Sequence, residues 1–506
     1  MAEPHEKLAD ALDALKALQA GERRVFQSKE LSRAHRERLV KNGFLQEVMK
    51  GWLISVSPND RTGDTTPWFA SFWEFCARYC TSRFGDAWHL SPEQSLLLLA
   101  GHTVIPKQVI IYSPKGTNNT ANLLYETSIY DLKQDDMPAA SELEDMNGLR
   151  LYAAPAALIK VPEGFYQRYP VEAQVVLSQI TDVSDLLRKL LAGGHSAVAG
   201  RLAGAFRRIG KDRFADEIAS VMTTADYTIR ETDPFEAGRH FIAIPSAVSP
   251  IVARLKALWA SHRGTVLDIF PEAPGLPADP QTYLQAVDEV YQSDAYHSLS
   301  IEGYHVSRDL VERVRAGNWS PDDVAGDRAQ RDALAARGYW QAFQAVKSDV
   351  KKVLGGAEAG NLVSETHRIW YRELFQPCVA AGLIRAEALA GYRNDAVFIR
   401  NSKHVPPRWQ TVRDAMPALF DLIMEEPEPA VRAVLGHWLF GYIHPYPDGN
   451  GRTARFLMNV LLASGGYPWT VIKVDDRDRY MGALEAASAG DDIRPFATFL
   501  AEQLEV

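Results

Sequence analysis

One short stretch, HPYPDGNGRTAR at residues 444–455, holds side chains whose types and spacing suit chemistry at a phosphate ester. It offers a histidine that can take up a proton near neutrality, a carboxylate, two glycines and two arginines. A glycine-rich loop that opens a helix presents backbone N–H groups where the helix dipole favours anions. Anion-stabilising donors, a metal ligand and a base for an attacking hydroxyl are what phosphoryl or nucleotidyl transfer needs. The stretch therefore predicts a site for that chemistry.

Two helices must position these side chains. An apolar helix is predicted over residues 430–443, and the prolines that follow have to end it. A second helix is predicted from about Arg452 to Ser464, ending at a pair of glycines. Arg452 and Arg455 are three residues apart and would share one face of that helix. The tight loop between the helices would then hold the carboxylate and the glycines beside both guanidinium groups.

The stretch resembles the signature of the Fic (filamentation induced by cAMP) family, His-x-Phe-x-Asp/Glu-Gly-Asn-Gly-Arg-x-x-Arg, with Tyr446 in place of the usual phenylalanine. The segment GYRNDAVFIRNSKHVPPRW, residues 391–409, resembles the family's flap, a β-hairpin whose edge strand pairs with the segment to be modified. Upstream, SLSIEG at 298–303 resembles the family's inhibitory motif, Ser/Thr-x-x-x-Glu-Gly/Asn. The resemblance covers roughly residues 281–500, somewhat under half of the chain.

The resemblance implies transfer of AMP from ATP to a Tyr, Thr or Ser hydroxyl of a protein target, with Mg²⁺ as the cofactor. His444 would be the catalytic base, and Asp448 would hold the metal ion. The target would dock at the flap, residues 396–405. The nucleotide phosphates would be held by Gly449, Asn450, Gly451, Arg452 and Arg455.

The inhibitory residues implied by the resemblance are Ser298, Glu302 and Gly303, with Glu302 pairing with Arg455 in the inhibited state. Ser298 and Glu302 are four residues apart and would share one helical face. An alternative stays open, in which Glu302 positions a water molecule and the chain removes AMP from a modified protein. Relatives often pair, which suggests a homodimer.

Length and composition describe a globular protein of several domains. The 506 residues are 46% hydrophobic and 24% charged, which excludes wholesale disorder and fibrous architecture. The formal net charge of −9 argues against a globally basic nucleic-acid coat. Three cysteines cannot form a disulfide framework, and they are expected to be buried small hydrophobic residues. The first residues do not have the pattern of a signal peptide, and no apolar run could span a membrane, so a cytoplasmic protein that inserts in no membrane is expected.

The segment 21–58 has the pattern of a winged helix-turn-helix. Ser28 is predicted to cap one helix, residues 33–41 to form a second, and residues 44–48 and 52–56 to form a hairpin. Between residues 21 and 55, eight basic residues against four acidic ones give a local charge of +4. If the segment binds DNA, the contacts are expected from Arg33, Arg36 and Arg38.

Residues 20–165 also loosely resemble the winged-helix antitoxins of bacterial abortive-infection systems, mainly through WHLSPEQSLLLLAGHTVIPKQVIIYSP at 88–114. This leaves a second function open: a DNA-binding transcriptional regulator or antitoxin-like protein whose Fic part is a nucleotide-responsive switch. A winged fold that mediates protein contact is the other alternative for this region.

The expected fold class is mostly α. An all-helical Fic domain with a small β-hairpin flap is predicted at residues 245–506, with the inhibitory helix near 298–303. It follows an α+β region, divided into a winged-helix domain at 1–62 and a mixed domain at 63–240.

Overall fold

The computed structural model describes residues 4–58, 63–238, 240–317 and 327–504. The chain divides into two compact units. The N-terminal unit comprises Met1–Arg239, Pro245–Pro250 and Phe398–Val405, and the C-terminal unit comprises His240–Ile244, Ile251–Val397 and Pro406–Val506. Helices dominate the described residues, as predicted. The division into the three domains given above stays a prediction.

The N-terminal unit begins with the element order of a winged helix. These elements are α1 (Pro4–Leu18), β1 (Val25–Gln27), α2 (Arg33–Lys41), β2 (Leu45–Met49) and β3 (Trp52–Ser55). The strands form an antiparallel sheet in the order β1-β3-β2, and Phe26, Leu39 and Leu53 lie in the core beneath it. The helix predicted to begin at Ser28 is wrong, because Ser28–Glu30 is a single 3₁₀ turn. Ser32 caps α2 instead, with its hydroxyl accepting a hydrogen bond from the His35 N–H at 3.2 Å.

The rest of the N-terminal unit is a small mixed sheet with helices around it. Its strands are β4 (His89–Leu90), β5 (Gln108–Ser113), β6 (Asn119–Asn122), β7 (Ser128–Lys133), β8 (Leu143–Met146) and β9 (Leu149–Tyr152). Strands β4 to β7 form one sheet in the order β4-β5-β7-β6, in which β5 and β7 are parallel, and β8 pairs with β9. Its helices are α3 (Thr66–Phe84), α4 (Pro92–Leu99), α5 (Ala154–Lys160), α6 (Gly164–Arg168), α7 (Pro170–Gln179), α8 (Ser184–Gly193), α9 (Ser196–Arg208) and α10 (Asp212–Thr224).

The core of this unit is built around α3, whose period of three to four residues turns aromatic side chains inward. Trp68, Phe72 and Phe75 on α3 are fully buried and meet edge to face. Cys76 and Cys80 on the same helix are also fully buried and free, as expected for small hydrophobic residues.

The predicted flap hairpin at 396–405 is wrong. No two residues of this stretch pair as strands; an isolated antiparallel bridge joins His404 to Val104 instead. Residues 398–405 consequently fold with the N-terminal unit. The sequence pattern could not predict this, because the pairing partner is about 300 residues away along the chain.

The C-terminal unit is helical throughout its described part. Its helices are α11 (Pro250–Ile269), α12 (Pro280–Ile301), α13 (Arg308–Arg315), α14 (Asp327–Leu354), α15 (Ala359–Ala380), α16 (Trp409–Glu425), α17 (Pro429–Ile443), α18 (Asn450–Ala463), α19 (Arg477–Gly490) and α20 (Arg494–Gln503). Helices α17 and α18 pack against each other as the predicted pair, and nearly all side chains of both are buried. No helix among the described residues is both long and apolar enough to cross a membrane.

Candidate functional site

His444 lies directly after α17, in the left-handed conformation that ends the helix (φ 52°, ψ 60°). Its Nδ1–H faces the carbonyl oxygen of Gly441 at 3.2 Å, and a carbonyl can only accept, so the proton belongs on Nδ1. Burial lowers the pKa of His444 to about 4, with a further lowering by Arg393, while the hydrogen bond with Gly441 and the charges of Glu302 and Asp448 oppose the shift. The imidazole is therefore neutral at physiological pH, and Nε2 is left as a proton acceptor.

Arg393 fixes the backbone around this histidine. Its Nε donates to the carbonyl oxygen of His444 at 2.8 Å, and its backbone N–H donates to the carbonyl oxygen of Pro445 at 2.9 Å. The side chain is almost fully buried, and it also donates to the carbonyl oxygens of Asp395 and Pro407. Sequence reasoning missed this residue, because its partners are backbone carbonyls and leave no pattern of side-chain types.

The loop between the two helices is braced from within. The Asn450 side chain accepts from the Tyr446 N–H and donates to the Tyr446 carbonyl, both at 2.8 Å. The Tyr446 ring is fully buried and stacks on Tyr371 with ring centroids 3.8 Å apart. Asn450 was predicted to hold phosphate, and the contact that its side chain makes here is with the loop itself. Tyr446 packs as an anchor in the place where the signature has phenylalanine.

Gly449 and Asp448 form the turn into α18. Gly449 has φ 76°, a conformation that glycine adopts without strain, and a β-carbon there would lie 2.7 Å from the Phe375 ring. The Asp448 carboxylate accepts from the Gly449 N–H at 2.6 Å, and its other oxygen lies 3.6 Å from Arg452 Nη2. More than half of the Asp448 side chain is exposed, so this carboxylate is accessible to a ligand.

Arg452 is a buried cation, and some of its N–H donors have no acceptor among the described residues. Its side chain is 1% exposed and lies between the Tyr304 and Phe375 rings, 5.2 and 5.0 Å from their centroids. Its Nε and Nη2 have no hydrogen-bond acceptor among the described residues. Buried donors without acceptors are costly, and an anion with several oxygen atoms would satisfy them. Arg452 therefore fits the predicted phosphate-binding role.

Arg455 is held by the end of α12. Its Nε donates to the Ser298 hydroxyl at 2.9 Å, and its Nη2 donates to the Ser298 carbonyl at 3.1 Å and to Glu302 Oε1 at 2.7 Å. Burial alone would lower the pKa of Arg455, but the Glu302 carboxylate, together with Tyr480 and Tyr339, raises it above the usual value. Its Nη1 has no acceptor among the described residues. The sequence-predicted pair of Glu302 and Arg455 is thus formed in the structure.

Two glycines allow this contact. Gly303 follows α12 with φ 87°, which turns the chain sharply after Glu302. Gly451 lies on the first turn of α18, where a β-carbon would come within 2.4 Å of Glu302 Oε1. A β-carbon at residue 451 would displace this carboxylate, so glycine here permits its close approach.

Two buried side chains behind Arg455 were not predicted. Asp294 precedes Ser298 by one helical turn and accepts from the Tyr339 hydroxyl at 2.6 Å. Its spacing of four from Ser298 and eight from Glu302 could have identified it, since all three share a face of α12. Tyr480 is buried, and its hydroxyl bonds with His437 Nε2 at 2.7 Å.

The three arginines predicted to contact DNA all have partners within the N-terminal unit. Arg33 pairs with Glu37 at 2.7 Å, in an exposed contact on α2. Arg38 Nη1 donates to the Lys7 carbonyl at 2.9 Å, and Arg36 Nη1 donates to the Ser28 carbonyl at 3.4 Å.

Comparisons with known proteins find similarity in the C-terminal part of the chain. Residues 361–462 match the Fic/DOC family. The chain is 33% identical over 238 residues to the protein adenylyltransferase Fic of Nematostella vectensis, an alignment that covers 46% of this chain and 51% of the relative. It is 47% identical over 239 residues to the protein adenylyltransferase Fic of Drosophila yakuba, covering 44% and 42%.

A solved structure, Fic-1 (aa134 - 508) from C. elegans, is similar with a TM-score of 0.37 and 16% identity, over 67% of this chain and 96% of that one. The chain spans about half the length, or less, of the curated relatives it matches. The residues that match the Fic/DOC family, 361–462, contain the whole loop from His444 to Arg455.

Proposed function

We propose that the chain transfers AMP from ATP to a Tyr, Thr or Ser hydroxyl of a protein. The carrying observation is that one loop joins a neutral histidine to two buried arginines with unsatisfied donors. His444 Nε2 takes the proton of the hydroxyl as its oxygen attacks the α-phosphorus. The bond from that phosphorus to the bridging oxygen breaks, and pyrophosphate leaves. The adenylyltransferase activity of the relatives named above supports this proposal.

The phosphates would be bound by the loop and the start of α18. The first N–H groups of a helix have no partner within the helix, and those after Gly449 are available to phosphate oxygens. Arg452 would supply two further donors to the phosphates and Arg455 would grip the γ-phosphate once it is free of Glu302.

Mg²⁺ fits the exposed Asp448 carboxylate, because this ion usually takes one or two protein carboxylates and completes its shell with phosphate oxygens and water. When bound, it would neutralise charge on the phosphates and orient them. No group of three His, Cys, Asp or Glu side chains in the described ranges could hold a metal ion by itself. A binding mode shared with the nucleotide is consistent with that.

Glu302 would inhibit the transfer by occupying Arg455. ATP binding would then lose the guanidinium that aligns its γ-phosphate, and misplacement by about 1 Å can cost on the order of 10²-fold in rate. The ion pair is buried on the arginine side, where the contact is strong and oriented. Ser298 adds two hydrogen bonds to the same guanidinium, so it belongs to the inhibitory device.

The target would dock by strand pairing with residues 396–405, and the chain would act as a cytoplasmic protein and as a homodimer. The docking and the homodimer rest on the family resemblance, and the cytoplasmic location rests on the sequence pattern described above.

Labelled ATP tests the proposed function. We would incubate wild type, Glu302→Gly and the double variant Glu302→Gly/His444→Ala, and score AMP on protein by intact mass. Transfer by Glu302→Gly that the double variant lacks supports the proposal; no transfer by any of them contradicts it. Release of AMP from a modified protein, dependent on Glu302, would instead favour removal of AMP.

DNA binding through the winged-helix region is the second candidate function, supported by its element order and local charge. Affinity for the protein's own promoter should then fall with salt, with a log–log slope near −0.9 per phosphate contact. Replacing Arg33, Arg36 and Arg38 by alanine should flatten the slope, and Arg188→Ala, on an exposed side chain of α8, is the matched control. Absence of binding at low salt would exclude this candidate.

A further inference from the structure

Within the segment 398–405, residues 403–405 already pair as a short strand with another part of the same chain. The Ile105 N–H donates to the Lys403 carbonyl at 3.0 Å, and the Val405 N–H donates to the Thr103 carbonyl at 3.0 Å. Between these two bonds, Val104 and His404 face each other as an antiparallel bridge. One edge of residues 403–405 is therefore fully used by residues 103–105 of the same chain.

Side chains reinforce this pairing along the segment. His404 is 1% exposed, and its Nδ1 bonds with the Thr103 hydroxyl at 2.8 Å. Arg400 forms an ion pair with the buried Asp64 carboxylate at 3.1 Å. Val405 packs against the core of the N-terminal unit. The segment is thus held at several points and not by the two backbone bonds alone.

A new strand could not easily pair with the other edge of residues 403–405. The strand at residues 103–105 is itself held in place by other contacts. The His404 N–H, which points away from residues 103–105, donates to the Ser402 hydroxyl at 3.0 Å. On the partner side, the His102 ring contacts the buried Glu172 carboxylate at 2.7 Å, and Ile105 is 3% exposed. A strand arriving from outside would have to break contacts on either edge.

We propose, resting on the transfer function above, that residues 103–105 are an intramolecular competitor that closes the target-docking edge at 403–405. A protein target can pair with this edge only when residues 103–105 have left it. A partner within the same chain competes at an effective concentration on the order of millimolar, so a target at micromolar concentration is disfavoured. Access of the target is then controlled separately from the grip on ATP, which Glu302 controls.

A disulfide lock between the paired strands tests this inference. Residues 104 and 404 form the non-hydrogen-bonded type of antiparallel pair, with α-carbons typically about 4.5 Å apart, which a disulfide can bridge. Val104→Cys/His404→Cys would be made in the Glu302→Gly background, oxidised, and compared with its reduced form. The native cysteines are buried, and the two single-cysteine variants treated with the same oxidant are the controls.

Total protein of a cell extract with labelled ATP serves as the acceptor probe. The oxidised form should label it at least about tenfold less than the reduced form, whereas both should bind ATP equally. Equal labelling by the oxidised and reduced forms would overturn the inference. If the parent Glu302→Gly and both forms transfer no AMP, the proposed function is wrong and this inference falls with it; thus the two failures are distinguished.

Two further measurements do not depend on the lock. In wild type, amide hydrogen exchange at Val405 should be slow, and exchange at the rate of an unstructured peptide would contradict the pairing. Thr103→Val removes the hydroxyl that bonds with His404 and should raise labelling severalfold, while Thr120→Val, an exposed threonine on β6, should leave it unchanged. No rise with Thr103→Val, in a protein whose Val405 amide has lost protection, would also overturn the inference.

Discussion

Glu302 and Arg455 are joined at 2.7 Å, so the C-terminal end of α12 holds the guanidinium on the second turn of α18. The arginine is almost fully buried, whereas about a quarter of the glutamate side chain is exposed. Removal of the carboxylate would leave the guanidinium in place, because Ser298 accepts two of its other hydrogen bonds. Loss of the Glu302 contact should therefore leave Arg455 in the same position.

Glu302→Gly should raise AMP transfer strongly, on the order of 10²-fold, because Arg455 becomes free to align ATP. Intact mass after incubation with ATP measures the gain. Glu289→Gly places the same change at an exposed position of α12 and should give none. The double variant Glu302→Gly/Arg455→Ala should also lack the gain, since the aligning guanidinium is missing. Wild type that is already as fast as Glu302→Gly would show that no inhibition exists.

His444→Ala in the Glu302→Gly background should reduce transfer by about 10²–10⁴-fold and change ATP affinity only a few-fold. Under the proposed function, the imidazole would act on the incoming hydroxyl and not on the phosphates. Since burial holds the pKa of His444 at about 4, the parent rate should be flat near neutrality and fall only on acidification towards that pKa. His5→Ala, at an exposed residue of α1, is the control. Undiminished transfer by a folded His444→Ala variant would refute the assignment of His444 as the base.

Asp448→Asn separates the metal role from the loop's structure. Asparagine can still accept from the Gly449 N–H, so the turn should persist, but it lacks the charge that Mg²⁺ requires. Transfer should fall roughly 10²-fold or more, and Mg²⁺ should no longer strengthen ATP binding. ATP affinity measured with and without Mg²⁺ checks this, with Asp478→Asn at a fully exposed side chain as control. An unchanged Mg²⁺ dependence would rule Asp448 out as the ligand.

His437 should make the protein less stable in acid. Burial lowers its pKa to about 3, with a further lowering by Arg455, so the folded protein keeps this ring neutral where the unfolded chain protonates it. Between about pH 6.5 and pH 3 the unfolded state then binds more protons, and the free energy of unfolding falls by up to about 1.4 kcal/mol per pH unit.

His437→Leu should accordingly lose less of its melting temperature than wild type between pH 7 and pH 5. His5→Leu, which alters an exposed histidine, is the matched control and should follow wild type. A variant His437→Leu with the wild-type pH slope would show that this ring does not titrate across the unfolding transition.

The sequence predicted the site best where the partners are close along the chain. The residues from His444 to Arg455 lie within the short segment that joins α17 to α18 and begins α18. Ser298 and Glu302 are one helical turn apart. Their spacing alone determines which face they share, and the pair with Arg455 then followed from the resemblance. Asp294 lies on the same face, but it was missed because it stands outside the inhibitory motif.

Contacts between distant segments could not be predicted in the same way. Residues 396–405 have the composition of a hairpin, but the pairing of His404 depends on Val104 and on the burial of its side chain. Ser28 has the character of a helix cap, yet its neighbours form only one 3₁₀ turn before Ser32 caps α2. In both places tertiary packing overrides a local preference.

The position of Gly451 limits which mutations could release the proposed inhibition. The Glu302 carboxylate lies where a residue with a side chain would place its β-carbon. Under the proposed function, this position also borders the phosphates. Under the proposed function, a β-carbon there would crowd the carboxylate and the phosphates together, so a loss of inhibition at residue 451 should also weaken nucleotide binding. Under the proposed function, spontaneous mutations that release the activity should therefore accumulate at the C-terminal end of α12, at Ser298 and Glu302, and be rare in the loop from His444 to Arg455.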